Sequence, residues 1–358
     1  MSELTTTIID ESRVEAFVYR IIDEIGAAMN VPLSVIGFRL GLYKAMADSE
    51  PVTPDELAER TQTHERYVRE WLAGQAAGGY VEYDPETGTY HLPPEHATVL
   101  ADESSPMFQG GMFQSASAAI LAQDHVAERF VTGDGLGWHE HHHDLFEGTA
   151  AVFGIAYRTL LVQEWIPALD GVEAKLERGA LVADVGCGHG ISTILMAEAY
   201  PQSTFVGFDY HVASVEKARH NAALAGVEDR VRFEIATATD FPGWGYDLVA
   251  CFDALHDMGD PAAAARHIRS ALAEDGSWMI VEPSAGDTVE ENFHPLGRVR
   301  YGFSTLVCTP GSLSQPGRAG LGTLAGEQRL AEEIRAGGFG QVGRAAETPF
   351  NMVLEARP

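Results

Sequence analysis

Residues 181–201, LVADVGCGHGISTILMAEAYP, constrain this chain more than any other stretch. A short apolar run ends in Asp184-Val185, glycines follow at Gly186, Gly188 and Gly190, and an apolar helical pattern then sets in. Glycines at this spacing after a strand mark a tight turn. Its backbone takes φ values that side chains resist, and it lets a ligand come close. The helix beyond the turn aims its free N–H groups back at it. A dinucleotide fingerprint, G-x-G-x-x-G, would need its third glycine at Ile191, so a dinucleotide is not the expected ligand. An acid directly before the turn suits a cationic or hydroxyl-rich ligand better than a pyrophosphate.

Strand and helix signals alternate through the remainder of this half, the pattern of a doubly wound parallel sheet. Residues 204–208 read as the second strand, with Asp209 at its end and Tyr210 next, 25 residues beyond Asp184. A carboxylate at that place can accept two hydrogen bonds from a ribose diol. A helix is expected from near Ser214. RVRFEIATATDFP gives the third strand and its loop, with Thr237 and Ala238. YDLVACFDALHDM gives the fourth strand, ending at Phe252-Asp253, with a helix from Pro261. GSWMIVEP is the fifth strand, EQRLAEEIRAGG the last helix, and ETPFNMVLEARP a final strand.

The front of the chain has a different layout. Residues 13–47 carry Val14, Phe17, Val18, Ile21, Ile22 and Ile25 at helical spacing. Thr53-Pro54-Asp55-Glu56 is a capping box with proline in the first turn, and that helix ends near Thr61. Thr63 is expected to open the next helix, which ends at Gly78-Gly79. YVEYDPETGTYHLP then reads as a hairpin. Helix, helix-turn-helix and hairpin in this order make a winged helix. DNA binding is the familiar use of that layout, but acids outnumber bases 17 to 7 over residues 1–100. DNA affinity rests on neutralising phosphates. The alternative is a dimerisation and substrate-lid domain.

Residues 95–180 form a connector, mostly helical. Met107, Phe108, Met112 and Phe113 fit either a pocket lining or core packing. The run Trp138-His139-Glu140-His141-His142-His143-Asp144 invites a metal reading, because a helix would set His139 and His143 on one face. No other His or Cys cluster completes such a site in the sequence, so no metal is expected, and the run reads as a polar edge of a substrate entrance. Residues 159–180 read as a helix packed before the first strand. The expected division is a dimerisation domain over 1–95, a connector and lid over 96–160, and a ligand-binding domain over 161–358.

Charge narrows the partners. The chain has 52 acids against 24 bases, net −28, and its lysines are Lys44, Lys175 and Lys217 alone. A surface so acidic suits high salt and repels nucleic acid and anionic lipid. No unbroken apolar run reaches the roughly 18 residues of a membrane span. MSELTTTIIDES has neither the basic nor the apolar region of a secretory signal. Three scattered cysteines, Cys187, Cys251 and Cys308, suggest no disulfide or zinc framework and fit a reducing cytoplasm.

The acid-glycine strand, the Asp209 strand end, ATATDFP, FDALHDM and GSWMIVEP, in this order, resemble the class I S-adenosylmethionine-dependent methyltransferases over about residues 160–358. With its front domain the whole chain is similar to two-domain small-molecule methyltransferases of bacteria and archaea and to plant-type O-methyltransferases. The resemblance implies a Rossmann-like domain with a seven-stranded, mostly parallel sheet behind an N-terminal winged-helix domain, and a homodimer. It implies S-adenosyl-L-methionine as cofactor and a small-molecule acceptor, most readily at oxygen. Asp184, Gly186, Cys187, Gly188 and Gly190 would hold the methionine part. Asp209 would hold the ribose, with Tyr210 a further cofactor contact, Thr237 and Ala238 would touch adenine, and Phe252 and Asp253 would line the methyl-donor cleft. Many relatives have an aspartate where Thr237 stands, and Asp240 is the nearby acid. Within Leu255-His256-Asp257-Met258, which resembles their LHDW segment, His256 would be the general base. An unperturbed imidazole titrates near 6.5, suited to that work. A second reading is a winged-helix regulator that takes S-adenosylmethionine as effector. A third, a methyltransferase of protein or nucleic acid, lacks the N-P-P-Y-type motif after the fourth strand.

Overall fold

The computed structural model describes residues 9–358, which form two compact units, one reaching to Ser117 and the other Ala118–Pro358. Most of the stretch read as free of a secretory signal, residues 1–8, lies outside the described residues.

The first unit opens with the helix Glu11–Arg39, whose N-terminus is capped by the Asp10 carboxylate accepting from Ser12 N and Arg13 N. Only the C-terminal part of this helix is buried, at Asn30, Ser34, Val35 and Gly37. Gln75 ties it down, accepting from Tyr43 Oη at 2.6 Å and donating to Asn30 Oδ1 at 2.8 Å. The capping box forms as read: Glu56 N donates to Thr53 Oγ1 and Thr53 N to Glu56 Oε2, starting the helix Pro54–Thr61. The next helix, Glu65–Ala77, is capped by His64 rather than Thr63, because the His64 imidazole accepts from Arg66 N. The wing is β1 (Glu82–Asp84) paired antiparallel with β2 (Thr89–His91). Leu42, Tyr43, Met46, Leu57, Trp71, Leu72 and Leu92 make the core of this winged-helix unit. On the helix Glu65–Ala77, Arg66 pairs with Glu70 and Arg69 with Glu65, so each cation has an acid one turn away on the same helix.

The second unit is built on a seven-stranded sheet. Its strands are β3 (Leu181–Val185), β4 (Thr204–Asp209), β5 (Val231–Ile235), β6 (Tyr246–Phe252), β7 (Leu272–Pro283), β8 (Gln341–Glu347) and β9 (Asn351–Arg357). The order across the sheet is β5-β4-β3-β6-β7-β9-β8; the first five strands are parallel and β9 is antiparallel to both its neighbours. Two apolar clusters cover the two faces, one around Leu161, Trp165, Phe205 and Met279, the other around Val249, Trp278, Ile268 and Leu354. The chain runs outward from β3 to β5 and returns to lay β6 beside β3. The crevice beyond the carboxyl ends of β3 and β6 is therefore the switch point where open sheets of this kind bind ligands.

One local expectation changes. Residues 159–180 are not one helix. The helix His143–Ala156 runs on as a π-helical segment, Tyr157–Trp165, and a break at Gly171 (φ +71°) separates it from the helix Val172–Arg178. The histidine run is not one helix either: Trp138–Glu140 is a 3-10 turn and His142 caps the helix that His143 begins, so the shared face of His139 and His143 does not form. Two helices, Glu11–Arg39 and His143–Trp165, do reach membrane-spanning length and mean hydropathy, although neither holds an unbroken apolar run. Core helices pass the same test, and the second buries Leu145, Tyr157, Leu161 and Trp165.

Candidate functional site

The turn at 186–190 forms where the glycines predict it. Gly186, Gly188 and Gly190 all take positive φ, +81°, +52° and +76°. Two of these positions explain why glycine is needed. A Cβ on Gly190 would lie 2.5 Å from the Phe233 ring, so the turn packs tightly against β5. A Cβ on Gly188 would meet nothing within 4 Å, so this backbone faces open space, as a ligand's approach requires. Gly186 N and Cys187 N both donate to Phe208 O, which folds the turn over the end of β4. Cys187 is buried there, and burial pushes its thiol well up, as befits a packing residue.

Asp209 closes the turn from the β4 side. Its Oδ2 accepts from Gly188 N at 2.9 Å and its Oδ1 from His211 N at 2.8 Å. Burial raises its pKa despite these two donors. Each oxygen keeps acceptor capacity beyond its one backbone bond. Tyr210 is 41% exposed. With His139, His211, Val212, Ala213 and Glu216 it lines a hollow of about 430 Å³ beside the turn. His211 stacks on Phe146 at 4.8 Å, and Phe146 packs on Trp138 at 5.1 Å, so the start of the histidine run does reach this edge.

Asp184 does not reach the surface of the turn. It is fully buried beneath the turn, and its Oδ2 accepts from Ser192 Oγ and Thr193 Oγ1, both at 2.6 Å. Burial pushes its pKa up to about 6, against the two hydroxyl bonds. Asp184 thus fastens the start of the helix Ile191–Ala199 to β3 and holds the turn's shape from below.

The loop after β5 also closes on itself. Thr237 N and Oγ1 both donate to Asp240 Oδ1, at 2.9 and 2.6 Å, while Ala236 N donates to Asp209 O. Thr237 is exposed and Ala238 half-buried, on the same side as Asp209. The carboxylate of Asp240 is thereby engaged in shaping the loop.

On the other side of the crevice β6 ends at Phe252, which is buried and packs on Tyr157 at 5.1 Å. Asp253 follows in the left-handed region, φ +50°, a strained place for a residue with a side chain and one that clusters at functional sites. Tyr157 Oη donates to its Oδ2 and Asn351 Nδ2 to its Oδ1, each at 3.1 Å. Burial, helped by the nearby Glu282, pushes Asp253 up to about 7.

His256 sits in a 3-10 turn, Leu255–Asp257, just past this strain and only 3% exposed. Glu282, at the end of β7, fixes it at two levels. Its Oε1 accepts from Leu255 N and His256 N, and its Oε2 makes a short hydrogen bond with His256 Nδ1. With Nδ1 held on the carboxylate, the lone pair of the neutral ring falls on Nε2. Burial alone would lower the imidazole pKa, but the Glu282 and Asp257 carboxylates outweigh it and hold it well above 6.5. The ring is therefore a stronger base than a free histidine.

The structure thus gathers Gly186, Cys187, Gly188, Gly190, Asp209 and Tyr210 around the turn, with the 237–238 loop joined to Asp209. Phe252 and His256 stand at the end of the adjacent strand. Glu282, Tyr157 and Asn351 were not read from the sequence, whereas Asp253 stands, as expected, beside Phe252 at the end of β6. An acid closing an otherwise apolar strand, in GSWMIVEP, was the one signal available for Glu282.

Residues 27–102 match the Rv2258c-like winged HTH domain, and residues 176–306 match a family described as methyltransferase domain. A ubiquinone biosynthesis O-methyltransferase of Bordetella bronchiseptica is 38% identical over 108 residues, 28% of this chain and 42% of that protein. The chain spans about half the length, or less, of the curated relatives it matches. Human N-acetylserotonin methyltransferase, solved with S-adenosylmethionine, superposes with a TM-score of 0.70 at 15% identity, covering 100% of this chain and 99% of that one. An O-methyltransferase from neocarzinostatin biosynthesis, solved with S-adenosylmethionine and 2-hydroxy-5-methyl naphthoic acid, gives 0.61 at 17% identity, covering 92% and 95%. At such identities the likeness is one of fold.

Proposed function

We propose that this chain, a winged helix-turn-helix domain joined to a class I methyltransferase domain, moves the methyl group of S-adenosyl-L-methionine to a hydroxyl oxygen of a small molecule. One observation carries the reading: an open, positive-φ glycine turn braced by a strand-end carboxylate stands beside a buried His-Glu pair at the same sheet edge. The known activities of similar proteins support it.

The turn at 186–190 would hold the methionine part of the donor, with the open backbone at Gly188 in contact. Asp209 would accept from the ribose hydroxyls, Tyr210 would cover the ribose, and Thr237 and Ala238 would meet the adenine. Asp184 serves from below, as a brace. The donor supplies an already activated sulfonium methyl, so the protein's task is to align an acceptor oxygen with it and to exclude water. His256 Nε2 takes the proton that the hydroxyl loses as the methyl arrives, and Glu282 stabilises the imidazolium so formed. Phe252 closes the cleft with an apolar wall. The test is release of S-adenosylhomocysteine with matched acceptors. Phenolic hydroxyls should be turned over and the corresponding anilines not; turnover of the anilines alone would overturn the choice of oxygen.

The first unit supports a homodimer. Val14, Phe17, Val18, Ile21, Ile22 and Ile25 are all exposed on the helix Glu11–Arg39, a larger apolar face than a lone unit normally leaves in water. We therefore place a second copy there, mainly over residues 13–47 and the neighbouring connector. Sedimentation should give a dimer at micromolar concentration; a monomer in both low and high salt would refute it. Three buried free cysteines accord with a reducing, cytoplasmic setting.

A further inference from the structure

We propose that His256, Asp257 and Cys308 form a binding site for a zinc-like divalent transition metal, and that filling it silences the enzyme by occupying His256 Nε2. The loss of turnover rests on the methyl-transfer reading above; the binding of the ion does not. One donor atom from each residue lies within 4.8 Å of the others, and His256 Nε2 stands 3.3 Å from Asp257 Oδ1. Two ligands on a tetrahedral zinc, each about 2.0–2.1 Å from it, are roughly 3.3 Å apart. Nitrogen, carboxylate and sulfur together are a zinc-type donor set, with a fourth position left for water.

The groups around the three donors are those that such a site uses. Glu282 on Nδ1 leaves Nε2 as the ligating nitrogen, the carboxylate-histidine arrangement that orients metal-bound imidazoles. Thr323 Oγ1 donates to Cys308 Sγ at 3.0 Å; burial holds the thiol protonated, up to about 11, so an ion entering the site displaces that proton as it binds the sulfur. Asp257 Oδ1 is buried, and its partners are the other two donors, His256 Nε2 at 3.3 Å and the Cys308 thiol. The Asp257 side chain is 32% exposed, which gives an ion a way in. No spacing in the sequence announces the set, because Cys308 comes from a separate π-helical segment, Ser304–Cys308.

Cobalt(II) is the probe, since a thiolate ligand gives it a sulfur-to-metal charge-transfer band. The full-length protein should develop that band with one equivalent of cobalt. Cys308→Ser should lose it while keeping wild-type affinity for S-adenosylhomocysteine, which shows that the variant is folded. A His142→Ala, His143→Ala double variant should keep the band, which separates this site from the exposed group at His142, His143 and Asp144. Zinc should suppress wild-type turnover, and Cys308→Ser should need at least tenfold more zinc for the same loss. No thiolate band in the wild type, a band that survives Cys308→Ser, or one that disappears in the double variant would overturn the site. Full turnover with the band developed would overturn its inhibitory role. That last result would also remove His256 as the base; the others leave the methyl-transfer reading untouched, since donor binding tests it separately.

Discussion

Replacing His256 with alanine is expected to cut turnover at least about a hundredfold while leaving S-adenosylmethionine affinity nearly intact. A positioned base contributes about 10²–10⁴-fold when a proton must leave in the transition state. His256 is set for that task by Glu282, which holds Nδ1 and leaves Nε2 as the basic atom. The donor's contacts are expected on the turn at 186–190 and on Asp209, so removing the imidazole should cost little binding. Acceptors already ionised at the assay pH should lose less.

The pH profile gives this prediction a second readout. Transfer needs the neutral ring, and the Glu282 and Asp257 carboxylates hold the protonated form beyond the ordinary range around 6.5. The rate should therefore rise with pH through a midpoint above 6.5, not at the free-imidazole value that sequence alone suggests. Glu282→Gln removes the larger of the raising charges and should move the midpoint to lower pH. Near-normal turnover in His256→Ala, with a wild-type profile, would show that the histidine only packs.

Replacing Gly188 with valine is expected to lower affinity for S-adenosylhomocysteine by more than about a hundredfold, roughly 2.7 kcal/mol. Two causes act together. The position sits at φ +52°, where a β-branched residue is strained, and the open space in front of it would be filled by the new side chain. Gly190→Val should behave differently, because its Cβ runs into Phe233 inside the fold and the damage falls on stability. Asp209→Ala should weaken binding by about 1.5–3 kcal/mol, the range for hydrogen bonds to a charged group. Calorimetry for binding and thermal unfolding for stability separate these outcomes. Wild-type affinity in Gly188→Val would move the donor away from the turn.

The parts legible in the sequence were those that rest on local chemistry. Glycines with positive φ, the Thr53-Glu56 capping box and the strand-end Asp209 each announce themselves within a few residues. What was missed depends on pairing between distant segments. β8 escaped notice because QVGRAAE lies at the sheet edge, half-exposed along its length, and lacks a clean alternation. Glu282 became part of the site only because β7 lies beside β6, with Val281 opposite Phe252. Asp184 looked like a ligand contact from its place before the turn. Which way its carboxylate faces is decided by Ser192 and Thr193 on the following helix. The break in residues 159–180 covers residues 166–171, with Pro167 near its start and the positive-φ Gly171 at its end, and a periodicity reading registers neither.

The central claim is that the crevice at the ends of β3 and β6 takes S-adenosylmethionine. Isothermal titration of the full-length protein with S-adenosylhomocysteine tests it most directly. The expected result is saturable heat with one equivalent per chain, competed away by S-adenosylmethionine and absent in Gly188→Val. No heat with either ligand, together with a thermal-shift response to NAD, would contradict it.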